Sequence, residues 1–316
     1  MNNTSNHNAT TLNISMPMNI LLGTLMIIFI YTLGLILNIT IIILVFKTEK
    51  FKAANNILIV HLSACDLLLC ISFLIYSSAV YATFAMGWPV YIMDPICKVF
   101  MYMLLVSISL RAYTLAWMSI ERYRTVVHST KSDLSAGQMV AILIYMWVVL
   151  SIVPAIGIPD IVAIQHTPYI CHYQVRERYF NILASVYFLI ICYIIPAIIM
   201  LYCYTGIIKK CKQISWTTVR PIANRNHNQR LKMRAIKILI CISVLFLITG
   251  LPLFIGFLLT VYRESNLVNL TTSDHQYLNI SSYFVGFLLH ISPIYNPAIY
   301  FSKKKNNCSV CKCQCY

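Results

Sequence analysis

The sequence has 316 residues, of which 59% are hydrophobic and only 10% are charged. A soluble globular domain carries roughly one quarter charged residues, so this composition excludes a soluble fold and indicates a membrane protein. The formal net charge at pH 7 is +15. The positions of the basic residues, described below, assign this charge to membrane topology rather than to a nucleic-acid partner.

Seven apolar stretches are long enough for transmembrane helices, because a bilayer core about 30 Å thick needs roughly 20 helical residues. They cover about residues 20–46, 55–83, 97–120, 138–158, 180–208, 235–262 and 277–301. The segments between them carry charged or turn-forming residues, and no internal repeat is visible. We predict an all-α fold, a seven-transmembrane helix bundle at 20–301, between an extracellular tail (1–19) and a short Cys-rich cytoplasmic tail (302–316).

The distribution of basic residues predicts the orientation, because Lys and Arg accumulate on the cytoplasmic side of a membrane. With the N-terminus outside the cell, 19 of the 24 Lys and Arg residues fall in cytoplasmic segments. We therefore predict a multi-pass protein of the plasma membrane with an extracellular N-terminus. These residues also attract anionic membrane lipids, and no nucleic-acid partner is expected.

Acceptor sequences for N-glycosylation support this orientation, because most of them fall in the predicted outer segments. The sequon that begins at Asn38 lies in a span, and the one that begins at Asn307 lies on the predicted cytoplasmic side. Neither is therefore expected to be modified. No cleavable signal peptide is predicted, since the tail lacks a basic start and an apolar run. The predicted glycosylation sites are Asn2, Asn3, Asn8, Asn13, Asn269 and Asn279.

Two ionisable residues, Asp66 and Arg111, lie inside the second and third spans. A charge inside a bilayer is costly, so such residues face protein or water and are candidates for function. Asp66 lies eleven residues beyond Asn55 at the inner mouth of its span, and Arg111 lies eleven residues, about 16 Å, from Arg122 at the inner end of its own. The matching depths favour an Asp66–Arg111 ion pair. The alternative is that Arg111 bonds backbone carbonyls or water.

The third span ends in the charged triplet Glu121, Arg122 and Tyr123. Arg122 could leave Glu121 to reach another helix or a partner, which would make the triplet a switch; the alternative is an ordinary interfacial charge cluster. Cys97 precedes Arg122 by 25 residues, about 37 Å of helix, and therefore lies at the outer surface. Cys171 lies in an outer loop, so a Cys97–Cys171 disulfide is expected in the oxidising compartment.

Several further residues occur in order within the seven spans, and together they carry a resemblance. They are Asn38 in "GLILN", Asp66 in "LSACD", Cys97, the triplet "ERY", Trp147, Pro154, Pro196, Tyr204, Phe246, Pro252 and "NPAIY" from Asn296 to Tyr300. Each is weak alone. In this order and register the sequence resembles the rhodopsin-like (class A) family of G-protein-coupled receptors over essentially the whole membrane domain.

The resemblance implies a receptor that binds an extracellular ligand and activates a heterotrimeric G protein as helix six swings outward. Arg122, Tyr204 and Tyr300 would form the cytoplasmic contact that changes on activation. The basic stretches 209–212 and 230–237 would contact the G protein, or serve orientation alone. The expected polar core consists of Asn38, Asp66, Arg111 and Asn296. Prolines remove a backbone donor and kink helices, here at Pro196, Pro252 and Pro297.

Two departures from the family pattern stand out. Gly250 in "FLITGLP" occupies the place of the family's usual Trp, two residues before Pro252. Arg111 replaces a small hydroxyl residue near the sodium-site aspartate, where its fixed cation could take the electrostatic role of the ion. We predict that there is no functional sodium site, and that both changes alter basal activity.

The resemblance limits the possible classes of ligand but does not identify the ligand. Leu104 stands where monoamine receptors carry an aspartate, and His290 stands where opsins carry the retinal lysine, so both ligand classes are disfavoured. Short, nearly neutral outer loops leave a small neutral molecule, a lipid or a short peptide open, and a likeness to melatonin-like and orphan receptors decides nothing further. His290 either contacts the ligand or the Asp66 network, or is a satisfied core histidine. Candidate pocket residues are Leu104, Leu105, Ile108, Gly250, Leu253, Gly286 and His290.

The C-terminal run "CSVCKCQCY" predicts palmitoylation rather than a metal site, because juxtamembrane cysteines beside lysines are typical acylation sites. An enzyme is not expected, since no Gly-rich phosphate loop or zinc-ligand pair lies at a cytoplasmic face, and no cofactor, metal or catalytic residue is predicted. The alternative functions are a non-coupling decoy receptor and a transporter or channel. The cysteines in question are Cys308, Cys311, Cys313 and Cys315.

Overall fold

The computed structural model describes residues 18–47, 54–86, 92–128, 134–164, 171–173, 178–217, 225–264 and 290–300. Its helices are α1 (Met18–Phe46), α2 (Ala54–Met86), α3 (Met93–Val127), α4 (Ala136–Ile161), α5 (Arg178–Leu189, a π-helical turn Ile190–Ile194, then Ile195–Thr217), α6 (Arg225–Glu264) and α7 (290–300). Two strands, β1 (Val162–Ile164) and β2 (Cys171–Tyr173), follow α4.

The helices are apolar on most of their surface. Five of them, within the described residues, are long and apolar enough to cross a membrane, and α4 contributes the shorter apolar helix Ala136–Ile152. Large apolar side chains point away from the bundle, among them Phe29 at 70% exposure and Tyr145 at 68%. A soluble protein would not leave so much apolar surface in water, whereas a bilayer covers it. The described part of the fold is therefore a transmembrane helix bundle.

The third helix is the centre of the bundle. It contacts α2, α4 and the second part of α5, and α1 packs against α2. Its inward residues include Leu110, Ala112 and Leu115, each at most 1% exposed. Close packing of this kind places any polar side chain of α3 against several neighbouring helices at once.

Local sequence determines where α4 begins. The Ser135 hydroxyl accepts a hydrogen bond from the backbone N–H of Gln138 at 3.2 Å, and the Gln138 side-chain oxygen accepts one from the backbone N–H of Ser135 at 3.0 Å. This reciprocal pair is a capping box, which satisfies two backbone donors that the first helical turn leaves free. The start of α4 is thereby fixed two residues earlier than the apolar run from residue 138 predicts.

Several other predicted bounds are too short. The third helix extends beyond the predicted 97–120 at both ends, and α6 begins at Arg225, ten residues before the predicted 235. Apolar runs mark the part of a helix that lies in lipid, but backbone hydrogen bonding continues where the helix enters water. The seventh prediction, 277–301, is described only at 290–300, where the chain is helical.

A short hairpin follows α4 that the all-α prediction does not contain. Strand β1 pairs antiparallel with β2, with Val162 opposite Tyr173 and Ile164 opposite Cys171. The strand residues are β-branched or aromatic in part, which suits an extended backbone. Three-residue strands have too little periodicity to be recognised in the sequence.

Candidate functional site

The two buried charges meet. Arg111 Nη1 lies 3.3 Å from Asp66 Oδ1, and both side chains are almost fully buried, at 6% and 1% exposure. Arg111 Nη2 also donates to the Tyr295 hydroxyl at 2.5 Å and to the Ser292 carbonyl at 3.3 Å. The predicted pair therefore forms, and the alternative is also partly right because Arg111 bonds a backbone carbonyl. A buried charge with a partner avoids most of the cost of an isolated one.

Asparagine side chains extend this pair towards α1. Asn296 Nδ2 donates to Asp66 Oδ2 at 2.8 Å. Asn38 Nδ2 donates to the Pro293 carbonyl at 2.9 Å and to the Gly34 carbonyl of its own helix at 2.9 Å. The four predicted polar-core residues thus lie together, in one buried region that joins α1, α2, α3 and α7. We call Asp66, Arg111, Ser292, Tyr295 and Asn296 the charged centre.

A second buried polar group, at His61, was missed by the sequence analysis. Trp147 Nε1 donates to His61 Nε2 at 2.9 Å, and His61 Nδ1 lies 2.8 Å from the Thr114 hydroxyl. Thr114 in turn donates to the Leu110 carbonyl at 2.6 Å. Because the indole can only donate, His61 Nε2 is the acceptor, so the imidazole is neutral and its Nδ1 proton is donated to Thr114. This chain links α4, α2 and α3.

The sequence carried a signal for this group. His61 is an ionisable residue within an apolar span, five residues before Asp66, and it should have been counted with Asp66 and Arg111. Trp147 is one of the residues that carry the family resemblance, which does not say what its side chain contacts. Its role as the donor to a histidine on another helix depends on which helix faces it, and spacing along the chain does not reveal that.

The three residues that the resemblance selects, Arg122, Tyr204 and Tyr300, lie at the same end of the bundle. The Tyr204 hydroxyl lies 2.9 Å from the Ser243 hydroxyl, so α5 is hydrogen-bonded to α6. Arg122 lies close enough to the hydroxyls of Tyr204 and Tyr300 to interact electrostatically with both. The Tyr300 hydroxyl is buried and has no hydrogen-bond partner among the described residues. Residues of α3, α5 and α7 therefore lie within electrostatic range of one another at this end of the bundle.

The other two residues of the triplet, Glu121 and Tyr123, lie in different environments. Glu121 is 5% exposed and belongs to the buried interior. Tyr123 turns towards α5, where its ring lies 5.7 Å from the ring of Tyr202 and directly against Gly206. The triplet is therefore divided, since Glu121 is buried whereas Tyr123 packs against α5.

Two of the seven candidate pocket residues share a cavity. Ile108 and Gly250 line a cavity of about 30 Å³ whose wall also includes Arg111, Ser292 and Phe254. The space is large enough for about two water molecules. Leu104 and Leu105 are partly buried against the packed core. The side chain of Leu253 and all of Gly286 lie outside the described residues. Of the other five candidates, Ile108 and Gly250 line this cavity, and Leu104, Leu105 and His290 do not.

His290 contacts α1 and α2 and does not line this cavity. Its Nδ1 lies 2.9 Å from the Tyr31 hydroxyl of α1, and its ring meets Tyr31 and Phe73 edge-on at 5.5 and 5.2 Å. Phe73 also stacks on Tyr31 at 4.3 Å. Of the two interpretations of His290, the structure favours the satisfied core histidine, which holds α7 against α1 and α2.

Some predicted sites are described in part or not at all. Cys97 is 0% exposed and disulfide-bonded, and β2 begins at Cys171, whose side chain lies outside the described residues, so their pairing stays a prediction. The six glycosylation sites and the four tail cysteines also lie outside the described part of the chain. Pro252 lies inside α6, and Pro196 lies two residues after the π-helical turn of α5. Pro297 lies in α7.

Membrane-crossing helices around a buried ion pair, with an Arg–Tyr cluster at one end, define a helical membrane receptor. The family described as "7 transmembrane receptor (rhodopsin family)" matches residues 37–300. The chain belongs to this family, and it is a class A G-protein-coupled receptor with a seven-transmembrane fold.

Curated relatives agree with this membership. The chain is 25% identical to the C-C chemokine receptor type 4 of Homo sapiens over 279 residues, which cover 86% of this chain and 71% of that protein. It is 26% identical to the melatonin receptor type 1A of Gallus gallus, over 84% and 73% of the two chains. It is also 26% identical to the neuropeptide Y receptor type 2 of Bos taurus, over 75% and 62%. Relatives with such different names do not define a subfamily.

Proposed function

We propose that this receptor lies in the plasma membrane with its N-terminus outside and activates a heterotrimeric G protein by an outward movement of α6. The observation that carries this proposal is the hydrogen bond between Tyr204 and Ser243, which joins α5 to α6 within electrostatic range of Arg122. Tyr204 ties α5 to α6 through Ser243 in the described state. Loss of that bond would free Tyr204 to contact Arg122 and Tyr300 and would release α6.

The extracellular side is proposed to be stabilised by a Cys97–Cys171 disulfide and by glycans in the tail 1–19 and between α6 and α7. The short tail 302–316 is proposed to be anchored by palmitoylation of its cysteines, since they adjoin the membrane and three consecutive lysines. For the ligand we propose a small neutral molecule, a lipid or a short peptide. The net neutrality of the Asp66–Arg111 pair supports a ligand without a fixed charge at this depth.

The test is a panel of G-protein dissociation reporters in cells that express the receptor, screened with small-molecule, lipid and peptide libraries. We expect the native chain to activate at least one Gα class. Arg122→Ala should reduce that signal at least tenfold, because it removes the cation within electrostatic range of Tyr204 and Tyr300. The matched control is Arg124→Ala, which removes a cation two residues away on the same helix, with surface expression measured for both.

Two results would contradict coupling. Equal signals from the native receptor and Arg122→Ala would show that Arg122 is not part of the activation contact. No signal from any Gα class with any library would instead favour the decoy receptor, an alternative that the absence of a Trp at Gly250 supports. Binding of a labelled library ligand without a signal would then identify the receptor as a decoy.

A further inference from the structure

The place in α6 where the family carries a Trp is filled from another helix. Gly250 is buried, and a Cβ atom added to it would lie 3.0 and 3.3 Å from Cε2 and Cδ2 of Tyr193 in α5. The Tyr193 ring also packs against Phe254 at 5.2 Å and Phe246 at 6.2 Å. Any larger residue at this position would require the Tyr193 ring to shift by a few tenths of an ångström. We call these contacts of Tyr193 with Phe246, Gly250 and Phe254 the aromatic contact.

The hydroxyl of Tyr193 adds a directional bond to this packing. It donates to the Leu247 carbonyl of α6 at 2.7 Å. Leu247 precedes Pro252 by five residues, so the bond lies in the turn just before the proline, where a missing backbone donor weakens the helix. A side chain of α5 thus holds the segment of α6 next to its predicted kink.

The backbone of α5 directs Tyr193 towards α6. Tyr193 belongs to the π-helical turn Ile190–Ile194, which accommodates an extra residue and thereby changes the direction in which side chains point. The third helix holds this turn in place. Tyr113 donates from its hydroxyl to the Ile191 carbonyl at 3.0 Å, and the Ser109 hydroxyl lies 3.0 Å from the Cys192 sulfur.

From these contacts we propose that Tyr193 is a positioning residue for activation. Its ring takes the place of the aromatic side chain that α6 lacks at Gly250, and its hydroxyl holds α6 in the resting position. This inference rests on the proposed function, in which movement of α6 opens the cytoplasmic face. On this proposal, Gly250 has a role of its own, because it leaves room for the Tyr193 ring of α5.

The first test is Tyr193→Phe, which keeps the ring and removes the bond to Leu247. A buried hydrogen bond that exists only in the resting state biases the equilibrium by about fivefold, so basal reporter activity should rise about fivefold at equal surface expression. The control is Tyr145→Phe, because Tyr145 is 68% exposed on α4 and faces lipid. That variant should leave basal activity unchanged.

The second test links the two residues through a double-mutant cycle. Gly250→Ala places a methyl group against the Tyr193 ring, so it should displace the hydroxyl from Leu247 and also raise basal activity. If both changes act through one bond, the double variant Tyr193→Phe/Gly250→Ala should be no more active than the more active single variant. Additive effects would overturn the link between Gly250 and Tyr193.

A readout without G protein separates this inference from the proposed function. Noncanonical spin-labelled residues at Lys209 in α5 and Lys237 in α6, both exposed near the cytoplasmic ends of their helices, allow pulsed distance measurements on the purified receptor. Tyr193→Phe should increase the fraction of long distances. A longer distance without reporter activity would leave the inference intact and refute coupling, whereas an unchanged distance would overturn the inference whatever the reporters give.

Discussion

The charged centre and the aromatic contact hold helices together by different means. In the charged centre, a full charge on α3 contacts a carboxylate on α2 and acceptors on α7, so separating these helices would leave a charge without a partner in a medium of low polarity. The aromatic contact between α5 and α6 consists of rings and one neutral hydrogen bond, which can separate at a much smaller cost.

The difference assigns the two regions different roles. The first joins α2, α3 and α7 firmly, and α4 is added to this group through the bond from Trp147 to His61. The second joins α6 to α5 weakly enough for a ligand to disturb. Buried ionic and polar interactions thus hold the helices that are expected to stay in place. Mainly apolar contacts hold α6, the helix that is proposed to move.

The largest expected effect tests the firm side of this comparison. Arg111→Met keeps an unbranched side chain but leaves Asp66 buried without its cation, which should cost about 3–5 kcal/mol of stability. The measurement is the thermal unfolding midpoint of the detergent-solubilised receptor. Asp66→Asn/Arg111→Met, which removes both charges, is the control and should recover part of the loss. A double variant less stable than Arg111→Met would contradict the ion pair.

A smaller effect is expected where α4 joins the firm group. Trp147→Phe removes the donor to His61 and leaves a buried ring nitrogen without a partner, which should cost about 1–3 kcal/mol. Trp117→Phe makes the same chemical change on α3 at a residue that is only partly buried. If both variants unfold at the same temperature, the indole–imidazole bond contributes nothing beyond the loss of ring volume.

On the weak side, Ser243→Ala should raise basal G-protein activation about fivefold, because it removes a hydrogen bond of about 1 kcal/mol between Tyr204 and α6. The readout is the reporter panel at equal surface expression. Thr205→Ala is the matched control, since its exposed hydroxyl donates to the Tyr202 carbonyl of its own helix. A lower basal activity in Ser243→Ala would mean that this bond belongs to the active state.

The smallest expected effect is that of sodium ions on the stability of the native receptor, which should be zero. Because Arg111 supplies the cation beside Asp66, the thermal unfolding midpoint should be the same in sodium chloride and in choline chloride at equal concentration. Arg111→Ser restores the small hydroxyl residue of the family pattern and should make the midpoint depend on sodium. Sodium-dependent stabilisation of the native receptor that is lost in Asp66→Asn would refute this prediction.

The sequence was sufficient for the fold class, the family resemblance and the Asp66–Arg111 pair, because these follow from apolar length, motif order and depth along a helix. The ends of several helices could not be predicted from apolar length. It was insufficient for His61 with Trp147, whose meeting depends on how three helices are rotated. The aromatic contact was harder still. Gly250 was recognised as a departure, but the π-helical turn that brings Tyr193 opposite it has no sequence signature.

The covalent attachment of the internal cation has a physiological consequence. A diffusible counter-ion would be abundant outside the cell and scarcer in other compartments, so its occupancy would follow the salt content of each. The guanidinium of Arg111 is carried by the polypeptide and is present once per receptor in the endoplasmic reticulum, at the cell surface and in endosomes alike. The resting threshold of this receptor should therefore stay constant along the whole trafficking route.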